Sequence, residues 1–286
     1  MKKILALLYL ILLSCSSSID AKDNFKILSY NVLKGFQQDS IIQSTYNNWV
    51  KKINPDIVAY QEMNEFTQKS LEVFARKYFH PYAVQSKLEG FPVALSSKKP
   101  IVNVQKVVDN MWHAYIYAFV NDIHVFVIHF SPFSFEKRRE EVQIVLAHAA
   151  LLPPNEKIVI MGDFNSLSSN DKEAYGPEFI ESRKATEVVN AHIRNLDNGK
   201  IDYSITDFMK KAGFKDAYYL FNKNFTHSCP TQKYQKSKFV QRIDFMWLSP
   251  ELAKYAVKAE YIYDEDTRVM SDHYPLLVEF DFDNKK

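Results

Sequence analysis

The sequence predicts an α/β fold in which two packed β-sheets, mixed or antiparallel, carry helices on their outer faces. Three observations lead there. Strand-like apolar runs outnumber helical patterns by about two to one. The segment Trp112–Phe130 reads as a hairpin reversing at Asn121-Asp122, which the regular strand–helix alternation of a closed parallel barrel does not contain. A chain of 286 residues with 47% apolar and 24% charged side chains, Phe 21 and Tyr 17 among them, buries one large core. Intrinsic disorder is excluded by that composition.

In chain order, Phe25–Tyr30 is the first strand. Further strands are predicted at Ile57–Tyr60, Val93–Ser96, Ile101–Val108, Trp112–Val120, Ile123–Phe130, Ile158–Met161, Arg242–Leu248 and Leu276–Phe280. Each is a period-two or continuous apolar run. Tyr115 and Tyr117 are read as sheet surface. Helical patterns cover Ile41–Ile53, Thr67–Tyr78, Glu136–Leu152 and Ile205–Ala212. The third is the clearest, with Val142, Val145, Leu146 and Ala149 on one face and Pro153-Pro154 closing it. Asn165–Glu178 and Asn222–Val240 are polar and turn-rich, and are expected as long surface loops. The second carries Lys223, Lys233, Lys236 and Lys238. No repeat, low-complexity tract or linker divides the chain.

The N-terminus has its own pattern. Lys2 and Lys3 precede the apolar run Ile4–Leu13, too short to span a bilayer and of signal-peptide length. Leu12-Leu13-Ser14-Cys15 resembles the lipobox of bacterial lipoproteins, in which cleavage precedes the cysteine and its thiol takes a diacylglyceryl group. This implies a signal peptide over residues 1–14, a lipidated N-terminus and tether over 15–24, and one domain over 25–286. It places the protein at the cell envelope, attached to the membrane through Cys15. Cys229 then carries the remaining protein thiol, so no intramolecular disulfide forms. Lys+Arg 36 against Asp+Glu 34 gives +2, and loss of Lys2 and Lys3 brings the mature chain to neutrality. A neutral chain has no bulk attraction for nucleic acid.

Several predicted strands end in polar residues that a structural strand end does not need. Asn31 follows the first, Gln61-Glu62 the second, His129 lies near the end of Ile123–Phe130, and Gly162-Asp163-Phe164-Asn165 follows Ile158–Met161. Asp244 within Arg242–Trp247 and Asp272-His273 within Ser271–Pro275 complete the set. If these ends converge, carboxylates, amides and histidines share one cleft. That favours a cation and an anionic substrate, because crowded carboxylates disfavour one another's ionised form. Asp163 and Asn165 are two apart, so extended backbone points both the same way. The chain lacks HExxH and paired Cys-x-x-Cys patterns, which argues against a zinc site.

The ordered motifs SYN (29–31), QE (61–62), IHFSP (128–132), GDFN (162–165), RIDFMW (242–247) and SDHYP (271–275) resemble those of the endonuclease/exonuclease/phosphatase superfamily, also called DNase I-like. The resemblance spans Phe25–Phe280. It implies a four-layer α/β sandwich with the site at one end of two central mixed sheets. It further implies that Glu62, with Asn31 and Asp272, binds Mg²⁺ or Mn²⁺, an oxygen-ligand site of the kind these ions prefer. Asp163 would orient or deprotonate the attacking water, and Asn165 would donate to a phosphate oxygen. Asp244 and His273 resemble the superfamily's Asp–His pair, and His129 its histidine near the leaving-group oxygen. His113 is a candidate phosphate contact.

The expected activity is divalent-metal-dependent hydrolysis of phosphate esters by a phosphodiesterase or phosphatase. A nonspecific extracytoplasmic nuclease and an inactive surface binding protein are the alternatives. Substrates could be nucleic acid, a sugar phosphate or a lipid headgroup, acted on by a monomer without an obligate protein partner. The Phe130-Ser131-Pro132-Phe133 run departs from the small polar loop that commonly follows this histidine, and predicts an apolar rim.

Overall fold

The computed structural model describes residues 24–283. The expected signal peptide (1–14) and the expected lipidation site, Cys15, lie outside the described residues. Fourteen strands are described: β1 (Phe25–Asn31), β2 (Ile57–Gln61), β3 (Tyr82–Gln85), β4 (Ala94–Ser97), β5 (Val102–Val107), β6 (Ala114–Val120), β7 (Ile123–His129), β8 (Ile158–Asp163), β9 (Leu196–Asp197), β10 (Lys200–Ile201), β11 (Lys215–Asp216), β12 (Asp244–Leu248), β13 (Ala256–Tyr261) and β14 (Leu276–Phe280). One six-stranded sheet runs β13-β14-β1-β2-β4-β3, the other β11-β12-β8-β7-β6-β5. Each holds one parallel pair, β1 with β2 and β7 with β8, among antiparallel neighbours.

Side-chain alternation builds the layers. Ile27 of β1 and Val159 and Met161 of β8 point between the sheets. Leu28 and Tyr30 point to the other face of the first sheet, and Ile158 and Ile160 to that of the second. Strands buried on both faces read as continuous apolar runs, which is why β2 and β8 stand out in the sequence. Helices α1 (Ser40–Ile53) and α2 (Gln68–Arg76) cover the first sheet. Helices α3 (Phe135–Ala150) and, after α4 (Pro177–Val189), α5 (Ser204–Lys211) cover the second. Asp39 caps α1 by accepting the Ile41 and Ile42 N–H groups, and Ser134 caps α3 by accepting that of Lys137. The four-layer α/β sandwich is thereby established. The β6–β7 hairpin turns at Asn121 and Asp122, both in the left-handed region at φ 50° and 62°, as a two-residue turn requires.

Three expectations are corrected. Tyr115 and Tyr117 are core residues beneath α3, with hydroxyls bonded to ring nitrogens of His148 and His124 at 2.9 Å. Phe130 is fully buried edge-on against Phe164, so it is no part of a rim. The expected loop Asn165–Glu178 contains a 3₁₀ turn over Ser169–Ala174 and runs into α4.

Arg242 is a buried strut. Its Nε and Nη2 contact Asp171 Oδ2 at 2.9 and 2.8 Å, and its Nη1 contacts Asp216 Oδ2 at 2.8 Å. The guanidinium lies over the Phe245 ring at 4.4 Å. Asp216→Ala leaves the charge of Arg242 matched by Asp171 but strands its buried Nη1 without an acceptor, so it is expected to destabilise the fold by about 1–3 kcal/mol. Denaturant unfolding checks this.

Candidate active site

The polar strand ends converge. Asn31 closes β1, Glu62 follows β2, His129 closes β7, Asp163 closes β8, Asp244 opens β12, and Asp272-His273 precede β14. The registers bring them together, with Asn31 opposite Gln61, His129 opposite Asp163, and Asp163 opposite Asp244. Gly162 sits at φ 139°, where an added Cβ would lie 2.0 Å from the Ile128 carbonyl oxygen. Only glycine lets β8 approach β7 so closely at the site.

Asn31 is the hub of one half. Its Nδ2 donates to Glu62 Oε1 at 3.3 Å and to Asp163 Oδ2 at 3.2 Å. Its Oδ1 accepts the Leu33 N–H, and its carbonyl accepts Ser271 Oγ–H at 2.7 Å, tying β1 to the Asp272-His273 segment. Glu62 has φ 64°, unusual for a non-glycine residue and worth of order 1–3 kcal/mol in strain. It is held by the Lys34 N–H on its Oε2 at 3.0 Å and by the Gly35 N–H on its carbonyl at 2.6 Å. Burial raises the Glu62 pKa, and nearby Asp272 adds to the rise.

Asp163 is buried, with Oδ1 accepting the Asn165 N–H at 2.8 Å. Burial, then the charge of Asp244, pushes its pKa up to about 8. Asn165 donates from Nδ2 to the Phe130 carbonyl at 3.0 Å, leaving its second amide N–H for another acceptor.

The histidines divide by environment. His273 Nδ1 lies 2.7 Å from Asp244 Oδ2. Burial alone would depress its pKa, but Asp244, with smaller contributions from Cys229 and Asp272, carries it well above the ordinary value. Its Nε2 lies 3.9 Å from both Asp163 Oδ2 and Asp272 Oδ1. His129 lies the other way: burial, then His113 and His273, lowers its pKa well below the ordinary value. Its Nε2 is 3.6 Å from Asp163 Oδ2 and its Nδ1 has no partner. His113 stacks on it with centroids 4.1 Å apart and is lowered by burial to about 3. The surroundings thus favour the protonated form of His273 and the neutral forms of His129 and His113.

Every residue predicted for the site within the described chain is thus brought to this one end of the sheets. Sequence reasoning did not single out Lys87, whose charge acts on both His113 and His129. Nor did it single out Ser228, whose Oγ accepts the Ile243 and Asp244 N–H groups. Both lie between regular elements, in segments without periodicity, so only their position in space reveals them. The Lys223–Lys238 stretch forms no single patch over the site. Lys223 donates to the Tyr219 carbonyl, Lys233 lies over Tyr234, and Lys238 pairs with Glu178. Its Thr231 N–H is bonded to the Asp272 carbonyl at 2.9 Å and Tyr234 OH accepts from Gln37 Nε2, which fastens this loop along one side of the cleft.

Among solved structures, the chain is similar to a 3′ phosphatase NExo from Neisseria bound to product DNA hairpin, with TM-score 0.70, 20% identity, and coverage of 90% of this chain and 100% of the other. It is similar to a 3′-5′ exonuclease (NExo) from Neisseria meningitidis, at TM-score 0.65, 18% identity and coverage of 90% and 100%. An AP endonuclease from Archaeoglobus fulgidus gives TM-score 0.65, 20% identity and coverage of 90% and 99%. At such identities these likenesses speak to the fold. No curated protein matches the sequence. The sequence profile of the Endonuclease/Exonuclease/phosphatase family matches residues 28–273, which include all the converging residues, and the chain belongs to that family.

Proposed function

We propose that the protein is a divalent-cation-dependent hydrolase of phosphate esters, a phosphodiesterase or phosphatase held at the cell envelope by a lipid on Cys15. The observation that carries the reading is the convergence of Glu62, Asp163, Asp244 and Asp272 around His273, with Asn31 and Asn165 bonded to Asp163.

The residues fit a hard cation. Glu62 and Asp163 are buried enough to raise their pKa values, and each feels other carboxylates of the site. Carboxylate and amide oxygens are the donor set Mg²⁺ and Mn²⁺ prefer. Asp163, Asp244 and His273 also offer ligand atoms within 4.8 Å of one another. Asp244 Oδ2 engages His273 Nδ1 at 2.7 Å and favours its protonated form, which suits this pair to charge stabilisation on the phosphate. As the family resemblance implies, Glu62 and Asp272 would hold the metal, with the Asn31 amide oxygen, which also accepts the Leu33 N–H, beside them. When bound, the metal neutralises phosphate charge and polarises the phosphoryl oxygen.

The chain's own groups supply the rest. Asp163, anchored by the Asn165 N–H, orients water and accepts its proton; its raised pKa suits a base working near neutrality. The free Asn165 N–H and the His273 imidazolium stabilise charge on the non-bridging oxygens. His129, with Nε2 facing Asp163 Oδ2 at 3.6 Å, is placed to act at the leaving-group oxygen. His113, stacked behind it, sets its ring plane and reaches toward a phosphate oxygen.

A nuclease is the second reading. Trp112 is 50% exposed and packs edge-on against Phe133 at 5.2 Å, offering an aromatic face on which a nucleobase can stack. The DNA-directed activities named for the similar structures agree with it.

Purified protein assayed on bis-p-nitrophenyl phosphate and p-nitrophenyl phosphate with Mg²⁺, Mn²⁺ or EDTA tests the proposal. Divalent-dependent release is expected, and the preferred ester separates diesterase from monoesterase. Release in no condition, together with tight binding of an envelope ligand, would replace the enzyme with a binding protein. For the anchor, Cys15→Ala is expected to move the protein from the membrane to the soluble fraction; unchanged partitioning would refute lipidation.

A further inference from the structure

A pocket of about 130 Å³ opens beside Asn165 and Ser166, shortly after Asp163 in the chain. Its walls include Arg138 from the first turn of α3 and Arg183 from α4. Pro132, Leu167, Phe179 and Ile243 supply apolar surface. Three features mark it as built for a ligand.

Both guanidiniums lack a carboxylate partner among the described residues. Arg138 is 3% exposed, and its Nη1 donates to the Ser131 carbonyl at 2.9 Å and to Asn195 Oδ1 at 2.8 Å, both neutral acceptors. Arg183 donates to Gln241 Oε1, also neutral. Arg138 is buried and Arg183 half-buried, and a guanidinium drawn out of water without a directly paired carboxylate favours an anionic partner.

Two polar atoms of the wall are orphaned. Arg138 Nε and Ser166 Oγ, on residues each 3% exposed, have no hydrogen-bond partner among the described residues. Such groups are rare enough to require a reason.

The one carboxylate lining the pocket, Asp202, is already engaged. It accepts from Arg139 Nη2 at 2.7 Å and from Ser204. The pocket therefore presents two guanidiniums with no carboxylate at ion-pair distance among the described residues, Asp202, Glu141 and Asp163 acting on Arg138, and Glu187 on Arg183, only from farther off.

We propose that this pocket is the subsite for a second, non-scissile anionic group of the substrate, a phosphate or carboxylate borne on the same molecule as the ester that reaches Asp163. The planar guanidinium fork matches either oxyanion, and the apolar wall accepts the ring or chain linking the two anionic groups. The proposal rests on the phosphoesterase reading for the term "substrate", but the pocket's affinity for an anion stands without it.

Two measurements test it. The first is calorimetric titration of inorganic phosphate, and separately acetate, into the metal-free protein in EDTA. Arg183→Gln and Arg138→Gln are each expected to weaken phosphate or acetate binding at least about tenfold, while Arg183→Lys, which keeps the charge, retains part of it and separates anion binding from misfolding. Which anion binds more tightly identifies the group. The second compares thymidine 5′-(p-nitrophenyl phosphate) with its 3′-phosphorylated counterpart. If phosphate is the bound group, Arg183→Gln raises KM for the 3′-phosphorylated ester alone.

No binding of either anion, or binding unchanged by both arginine variants, overturns the subsite. Arginine-dependent binding without turnover of any ester would instead leave the subsite standing and remove the hydrolase assignment.

Discussion

Asp163→Asn is expected to lower kcat by about 10²–10⁴-fold, the range for loss of a positioned general base. The substitution preserves shape but not polarity. An amide can still accept the Asn165 N–H at the Oδ1 position. At the Oδ2 position its NH₂ would face Asn31 Nδ2, 3.2 Å from the present oxygen, and set donor against donor. The same change is expected not to destabilise the metal-free protein at alkaline pH. Burial and Asp244 raise the Asp163 pKa to about 8. Relative to an unfolded-chain value near 3.8, the folded state binds the extra proton, so this group's stabilising contribution is lost as pH rises from about 4 through 8. The ionised carboxylate is thus a burden on the empty site that function retains. Steady-state kinetics and melting in EDTA at pH 8.5 check the pair. A variant that is inactive because it is unfolded would contradict it.

His273→Ala is expected to cost about 10³-fold in kcat, and Asp244→Asn somewhat less. The two act as a unit, so the double variant should be little worse than His273→Ala alone. The pH profile carries more information. Because Asp244 holds the His273 pKa well above its ordinary value, the imidazolium persists through neutrality, and the limb assigned to it falls on the alkaline side. In Asp244→Asn that limb should move toward neutral pH. Additive losses, or an alkaline limb unmoved by Asp244→Asn, would detach the pair from the chemistry.

Much of the architecture was legible because the central strands are buried on both faces. The runs at Ile57–Tyr60 and Ile158–Met161 have no reading as amphipathic surface, and the site residues sit where those runs stop. The edge strands were harder. In β13 a register shift between Ala256 and Lys258 breaks the alternation, and β3 is four residues long and exposed at its start. Helix α4 buries Phe179 and little else, so it has no apolar stripe to betray it. That is also why Arg183 could not be read as part of a pocket. Tyr115 and Tyr117 misled for another reason, since a tyrosine in a strand buries its ring whenever a neighbour such as His148 or His124 can bond its hydroxyl. Phe130 belonged to the core because the chain turns inward immediately after His129, its N–H bonded to the Asp163 carbonyl at 3.0 Å.

The central claim is a phosphoester hydrolase whose divalent cation is held by Glu62. The most direct test is the hydrolysis rate as a function of Mg²⁺ concentration, from EDTA upward, in the native protein and in Glu62→Gln. The account predicts no turnover in EDTA, saturable activation by Mg²⁺, and a half-saturating concentration raised at least about tenfold in Glu62→Gln. Turnover indifferent to EDTA, or a half-saturating concentration untouched by the substitution, would contradict it.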